Sequence, residues 1–273
     1  MAFSLATINV NGIRAAIRRD MAKYLQQTRP DVLALQEVRA SDAITNDLLG
    51  DDWELVNFPC EIKGRAGVTV AVRRDSEVKL VPGSARFGAQ NEDEQAVDVD
   101  TGRWLEVTVD SGGDLTRVVS AYLHSGQVGT EKMDQKYAHL DIVTERMAQL
   151  AADSTPTVVC GDLNIVHTES DIKNWKGNHN KTAGVLDEEI AYVDGWLASG
   201  WVDVVRELAG AVQGPYSWWS WRGKAFDNDA GWRIDYHLAT ASLAQRALSY
   251  DIGRAPAYDQ RFSDHAPVLV NYQ

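Results

Sequence analysis

The chain has 273 residues, 44% hydrophobic and 24% charged, which is enough apolar material for a sizeable core and not the composition of a disordered chain. A formal net charge of -12 argues against a protein that coats nucleic acid nonspecifically, because phosphate affinity comes from Lys and Arg; it leaves room for a local basic surface or for binding through a metal. With no run of about 18 apolar residues and no basic n-region in "MAFSLATINVNGIRA", neither a membrane span nor a secretory leader is expected.

The elements follow in chain order. Phe3 to Asn9 alternates as a strand, and Gly12 to Gln27 has helical periodicity that ends at Arg29-Pro30-Asp31. Val32 to Leu35 reads as a buried strand. Trp53–Phe58, Gly67–Arg73, Glu77–Val81, Arg103–Asp110 and Thr116–Tyr122 read as further strands, with Gly112-Gly113 as a hairpin tip between the last two. Glu131 to Ala152 is a long amphipathic helix that stops before Pro156, and Thr157 to Cys160 is a strand buried on both faces. Asp187 to Ala198 reads as a helix, and Tyr216–Trp221, Gly231–Leu238 and Pro267–Tyr272 as strands. Many strands interleaved with a few helices predict an α/β protein of stacked sheets with helices outside. No Pro/Gly/Ser-rich linker, low-complexity run or repeat divides the chain, so one domain over 1–273 is expected. Acid is concentrated in Asp47–Glu54 and Asn91–Asp100, whereas Asn11–Tyr24 carries Arg14, Arg18, Arg19 and Lys23 against Asp20. Cys60 and Cys160 sit in apolar settings without metal spacing and read as free thiols in a reducing cytoplasm.

Six apolar segments deliver polar groups at or near one end: Asn9 and Asn11, Glu37, Tyr122 and His124, Asp162 and Asn164, Asp235, and Asp264 with His265. Each alone is more often a turn former, a helix cap or a hydrogen-bonded core residue. Together, gathered at one edge of the sheets, they form a polar floor on a rigid scaffold. Carboxylates and amides without Cys/His spacing disfavour zinc; oxygen-rich ligation suits Mg²⁺ or Mn²⁺, which also offsets repulsion among clustered carboxylates. Metal-assisted attack of water on a phosphodiester fits this inventory best.

The segments "INVNGIRA", "LALQEVR", "GDLNIVHTESDIKN", "YSWWSW", "GWRIDYHLA" and "SDHAPV" together resemble the exonuclease III / abasic (AP) endonuclease family, part of the endonuclease-exonuclease-phosphatase superfamily, from Phe3 to Val270. The resemblance implies an α/β four-layer sandwich, two packed β-sheets flanked by helices. It implies Mg²⁺-dependent cleavage 5′ to abasic sites in double-stranded DNA, with 3′ to 5′ exonuclease and 3′-end trimming. It implies metal ligation centred on Glu37, with Asn9, Asn11, Asp162, Asn164, Asp264 and His265 around it. Asp162 would orient or deprotonate water, Asn164 hold it and the phosphate, and His265 donate to the phosphate while Asp235 holds its other nitrogen. Tyr122 would reach the phosphate, and Trp218, Trp232 and Ile234 would line a pocket for a base-less sugar. Asn178 matches an amide that contacts DNA. Three positions depart from the family pattern: Asn11, where relatives often have Asp; "YLHSG" after Tyr122; and Thr182, where a second amide is frequent. Arg14, Lys173, Lys176, Lys181, Arg222 and Lys224 are candidate backbone contacts, though each also reads as solvated surface. A monomer in the cytoplasm is expected. Other phosphodiesterases or phosphatases of the superfamily, and a non-catalytic binding relative, are the rival readings.

Overall fold

The strand β1 (Phe3–Asn9) is buried because its two faces serve two cores. Leu5 packs between the sheets, while Ala6 and Ile8 pack outward under helices. Those helices are α1 (Ile13–Arg18) and α2 (Met21–Thr28), which carry the chain across to β2 (Val32–Gln36), parallel to β1. After α3 (Asp42–Leu49), the strands β3 (Trp53–Phe58) and β4 (Val68–Arg73) extend this sheet on one side. The chain's last strands, β12 (Ala247–Ile252) and β13 (Val268–Tyr272), extend it on the other, giving the order β12-β13-β1-β2-β4-β3. The computed structural model describes residues 2–90, 99 and 101–273. Apart from Val99, the acidic stretch noted at 91–100 lies outside the described residues.

The second sheet repeats the plan. It holds β5 (Val78–Leu80), β6 (Arg86–Phe87), β7 (Trp104–Ser111) and β8 (Asp114–Tyr122), then β9 (Thr157–Asp162), β10 (Trp201–Asp203) and β11 (Asp235–Thr240). Its order is β10-β11-β9-β8-β7-β5, with β6 beside β7. The helix α4 (Glu131–Ala152) carries the chain from β8 to β9, which are parallel. With α6 (Asp187–Ala198), α4 covers the outer face through Leu140, Val143, Met147, Val193 and Trp196. The shorter helices are α5 (Trp175–Asn178), α7 (Val204–Ala209) and α8 (Ala241–Ala244). The architecture is the expected α/β sandwich of two packed sheets flanked by helices.

Each sheet has one parallel pair, β1–β2 and β8–β9, and antiparallel pairing elsewhere. A parallel pair ends both strands at the same edge, and an antiparallel neighbour begins there. Asn9 therefore pairs in register with Gln36, and Tyr122 with Asp162. Asp162 also pairs with Asp235, the first residue of β11. Beneath these ends the sheets are joined: Gln36 Nε2 donates to Ser120 Oγ at 2.9 Å, and Ser120 Oγ donates to the Leu35 carbonyl at 2.9 Å.

Three expectations differ from the structure. The single helix over Gly12–Gln27 is two helices, broken at Arg19-Asp20, where Arg19 adopts extended backbone. Tyr216–Trp221 is no strand; Trp218 makes only isolated bridges, to Trp232 and His265. Asp235 opens its strand instead of lying within one. Seven elements have no counterpart in the sequence reading: α3, β6, α5, α7, α8, β10 and the exposed edge strand β12. The hairpin at Gly112-Gly113 is present, both glycines having positive φ, as tight hairpin turns require.

Gly161, between Cys160 and Asp162, has φ 141°, and a Cβ there would lie 2.0 Å from the Ala121 carbonyl oxygen. Gly161→Ala should therefore push β9 off β8 and destabilise the fold by about 2–3 kcal/mol or more, measured by urea unfolding.

Candidate active site

The strand ends meet in a cleft of about 670 Å³ lined by Glu37, Tyr122, Asp162, Asn164, Asp264 and His265 on its polar side. Trp218, Trp232 and Ile234 form an apolar wall, and Arg39, Ser125–Val128 and Lys181–Ala183 form the rim. Glu37 and His265, 228 residues apart in sequence, thus face one cavity.

Asn9 organises the floor. Fully buried, its Nδ2 donates to Glu37 Oε1 at 2.9 Å and to Asp162 Oδ2 at 2.8 Å. Its side-chain Oδ1 accepts the Asn11 N–H at 3.0 Å. Asn11 Nδ2 in turn donates to Asp264 Oδ1 at 2.8 Å, and Trp218 Nε1 donates to Asp264 Oδ2 at 3.1 Å. Asn164 donates its backbone N–H to Asp162 Oδ1 at 3.0 Å and its Nδ2 to Asp162 Oδ2 at 3.2 Å. Glu37 is ion-paired with Arg39 through its other oxygen. Asn11, Glu37 and Asn164 all have left-handed backbone, with φ of 45°, 50° and 53°.

His265 Nδ1 lies 2.9 Å from Asp235 Oδ2, and its Nε2 lies 3.7 Å from Asp162 Oδ2. Ser217 Oγ donates to Asp235 Oδ2 at 2.6 Å and accepts the Asp235 N–H at 3.1 Å, fixing the carboxylate. Ser263 Oγ donates to the Asn9 carbonyl at 2.7 Å and accepts the His265 N–H at 3.2 Å. The loop before β13 is thereby locked to the end of β1.

Burial opposes a charge on His265, but the carboxylates of Asp235 and Asp162 outweigh it and lift the imidazole pKa to about 10. Burial raises Asp162 to about 7, helped by Asp235 and Glu37 and resisted by His265 and Asn9. Burial also acts against ionisation of Asp264, yet His265 and the bonds from Asn11 and Trp218 hold its pKa below the ordinary value. The Tyr122 hydroxyl is pushed well above its ordinary range by burial and by the nearby Glu37 and Asp162 carboxylates. Asp162, Asp235 and His265 have ligand atoms within 4.8 Å of one another, a buried acid and histidine group able to take a metal.

On the apolar wall, Trp218 and Trp232 pack edge to face with centroids 5.4 Å apart. Trp219, by contrast, is buried against Phe226 and donates to Asp229. Of the basic candidates, Lys181 reaches the cleft rim. Arg14, Lys173, Lys176, Arg222 and Lys224 are exposed outside the cleft lining. Asn178 ties down α5, donating to the Asn174 carbonyl at 2.8 Å and accepting from Thr182 Oγ1 at 3.0 Å. Sequence reasoning passed over Ser217, Ser263 and Arg39, although all three sit inside the quoted motifs. It also passed over Arg103, whose guanidinium lies 4.8 Å from the centre of the Tyr122 ring.

This cleft, on this fold, has matches among known proteins. Residues 6–265 match the Endonuclease/Exonuclease/phosphatase family, and the chain belongs to it. The Exodeoxyribonuclease of Bacillus subtilis (strain 168) is 31% identical over 265 residues, 97% of each chain. The DNA-(apurinic or apyrimidinic site) endonuclease of Dictyostelium discoideum is 27% identical over 267 residues, 96% of this chain and 68% of that one. The structure of an AP endonuclease from Archaeoglobus fulgidus shares the fold with a TM-score of 0.82 at 23% identity, covering 99% of both chains. Among the described residues, no helix is long and apolar enough to cross a membrane.

His124, which departs from the family pattern, turns away from the cleft. Its Nε2 is 2.8 Å from the Val99 carbonyl, and its ring meets His139 edge to face. Burial foremost, then the positive Arg103, lowers its pKa to about 3. The unfolded chain takes up a proton near the ordinary histidine value while the folded chain does not, so stability falls as pH drops from about 6.5 toward 3. His124→Asn should remove up to about 1.4 kcal/mol per pH unit of that acid sensitivity, read from urea unfolding between pH 7 and about 4.

Proposed function

We propose that the cleft hydrolyses phosphodiesters of duplex DNA 5′ to abasic sites and trims damaged 3′ ends, with Mg²⁺ as the cation and Mn²⁺ as its substitute. The observation that carries this reading is the convergence of Glu37, Asp162, Asp264 and the Asp235–His265 pair on one cavity beside an apolar wall. The names of the relatives support a DNA repair nuclease. On the same reading the protein is a monomer with one catalytic domain over 1–273, working in the cytoplasm, where Cys60 and Cys160 stay reduced.

The donor set fits a hard divalent cation. Its oxygens come from carboxylates and amides: Glu37, Asp162 and Asp264, with Asn9, Asn11 and Asn164 beside them. Burial, helped by the Asp235 and Glu37 carboxylates, raises the Asp162 pKa, and the buried Asp235 Oδ1 has no hydrogen-bond partner. When bound, the cation neutralises charge on the phosphate and on this acidic floor. His265 is the remaining member of the expected ligand group, and its role here is cationic. Its Nδ1 proton stays with Asp235, and its Nε2–H is free to donate to a phosphate oxygen.

Asp162, held on both oxygens by amide donors, accepts the proton of the attacking water. Asn164 holds that water against the phosphate. The Tyr122 hydroxyl stays protonated and donates to the phosphate. The Trp218, Trp232 and Ile234 wall admits a sugar without a base; extruding such a residue from the duplex costs least, which gives selectivity for damage. On this reading Lys181, which lines the rim, meets the DNA backbone, with Arg14, Lys173, Lys176, Asn178, Arg222 and Lys224 as contacts further out.

The test is a duplex with one abasic analogue beside a duplex with a recessed intact 3′ end, each with Mg²⁺ or with EDTA. Mg²⁺-dependent incision 5′ to the analogue is expected; cleavage in EDTA, or turnover on phosphoinositide or sphingomyelin instead, would sink the reading. Asp162→Asn should lower kcat by about a hundredfold or more while leaving DNA affinity within a few fold, by single-turnover kinetics and fluorescence anisotropy. Trp232→Ala should lose abasic-site cleavage out of proportion to any fall in melting temperature. Equal loss of both would return Trp232 to a packing role.

A further inference from the structure

Lys136 on α4 and Glu189 on α6 form an ion pair, and both side chains are fully buried. Neither lines the cleft, yet together they touch three segments that do. Lys136 Nζ donates to the Asn164 carbonyl at 2.9 Å and lies 3.5 Å from the Ser125 carbonyl. Glu189 Oε2 accepts the Gly184 N–H at 2.5 Å and the Leu186 N–H at 3.1 Å. Packing around these contacts is tight. A Cβ on Gly184 would sit 2.8 Å from the Asn164 carbonyl oxygen and 3.4 Å from the Trp232 ring. One on Gly126 would sit 2.5 Å from Met133 Sδ and 3.1 Å from Lys136 Cδ.

A buried ion pair is a weak source of stability, because desolvating two charges offsets most of their attraction; an apolar pair of similar volume often serves the fold as well. What an apolar pair lacks is directed hydrogen bonding to backbone. Here one bond, from the Leu186 N–H, caps α6 itself, while the others run to loops around the cleft, and one of these ends on Asn164, whose left-handed backbone at φ 53° aims its amide at Asp162. We propose that Lys136 and Glu189 are positioning residues: they fix the Asn164 carbonyl, and so the amide that orients Asp162, while holding Gly184 against Trp232. The proposal rests on the cleft being a phosphodiester-hydrolysing site.

The double variant Lys136→Met/Glu189→Leu of the full chain replaces the pair by apolar residues of similar volume, and Lys136→Arg keeps charge and donors. The abasic duplex is the substrate, and the readouts are the thermal melt, kcat and KM separately, and the ¹⁵N side-chain amide resonance of Asn164. The expected result is a cooperative melt within a few degrees of wild type, kcat down by about tenfold or more, KM changed by less than about threefold, and a displaced Asn164 resonance. Lys136→Arg should stay within about threefold of wild type in kcat. A folded double variant that loses less than about tenfold in kcat overturns the proposal. So does one that no longer melts cooperatively, since the pair would then be serving stability. If the wild-type chain does not cleave, the reading of the cleft fails, and the Asn164 resonance alone decides the positioning: unmoved, it overturns the proposal.

Discussion

The two sheets meet chemically at one buried amide. Asn9, at the end of β1, holds Glu37 from its own sheet and Asp162 from the other, using both protons of a single NH₂. An amide can do this where a charged group would not: it draws two carboxylates together without neutralising either. The arrangement works only because the parallel pairs stand face to face, tied below by Gln36 and Ser120. A slip of one residue in either pair would turn Asn9 or Asp162 to the opposite face of its sheet. The register of four central strands is thus a condition of the chemistry as well as of the core.

The electrostatics follow from that constraint. Bringing Glu37, Asp162, Asp235 and Asp264 into one buried region builds up negative charge that the protein only partly answers. It supplies His265, kept cationic by Asp235 and Asp162. It supplies Arg39 against Glu37 and neutral donors from Asn11, Trp218 and Ser217. The remaining demand for positive charge is one that a bound metal would meet. The apolar wall stands directly beside this demand, so one cavity joins an acidic floor to an apolar face.

Much of this was legible in the sequence. β1, β3, α4 and α6 fall where the sequence pattern puts them, the helices because each buries one regular face and β1 because both of its faces enter cores. The break between α1 and α2 was invisible because Ile13, Ala16, Met21 and Leu25 all enter the same core at nearly helical spacing. The resemblance put Trp218 at the cleft, which it lines, and the adjacent Trp219 is buried in the core, but no neighbouring strand was there to complete a ladder around them. β12 gave no signal because an exposed edge strand buries little. At the site, residues with charge or amide chemistry announced themselves at strand ends. The serines that hold them did not, because a serine looks the same whether it caps a turn or fixes a carboxylate. Lys136 and Glu189 read as ordinary polar faces of two helices; only the way those helices lie against the loops shows them buried.

Asn11, Glu37 and Asn164 share a backbone geometry that ordinary side chains avoid. Asparagine tolerates it; glutamate in that region costs on the order of 1 kcal/mol or more. Glycine at position 37 would relieve the strain and abolish the carboxylate in the same stroke. Keeping glutamate there holds a carboxylate in the cleft at the cost of backbone strain.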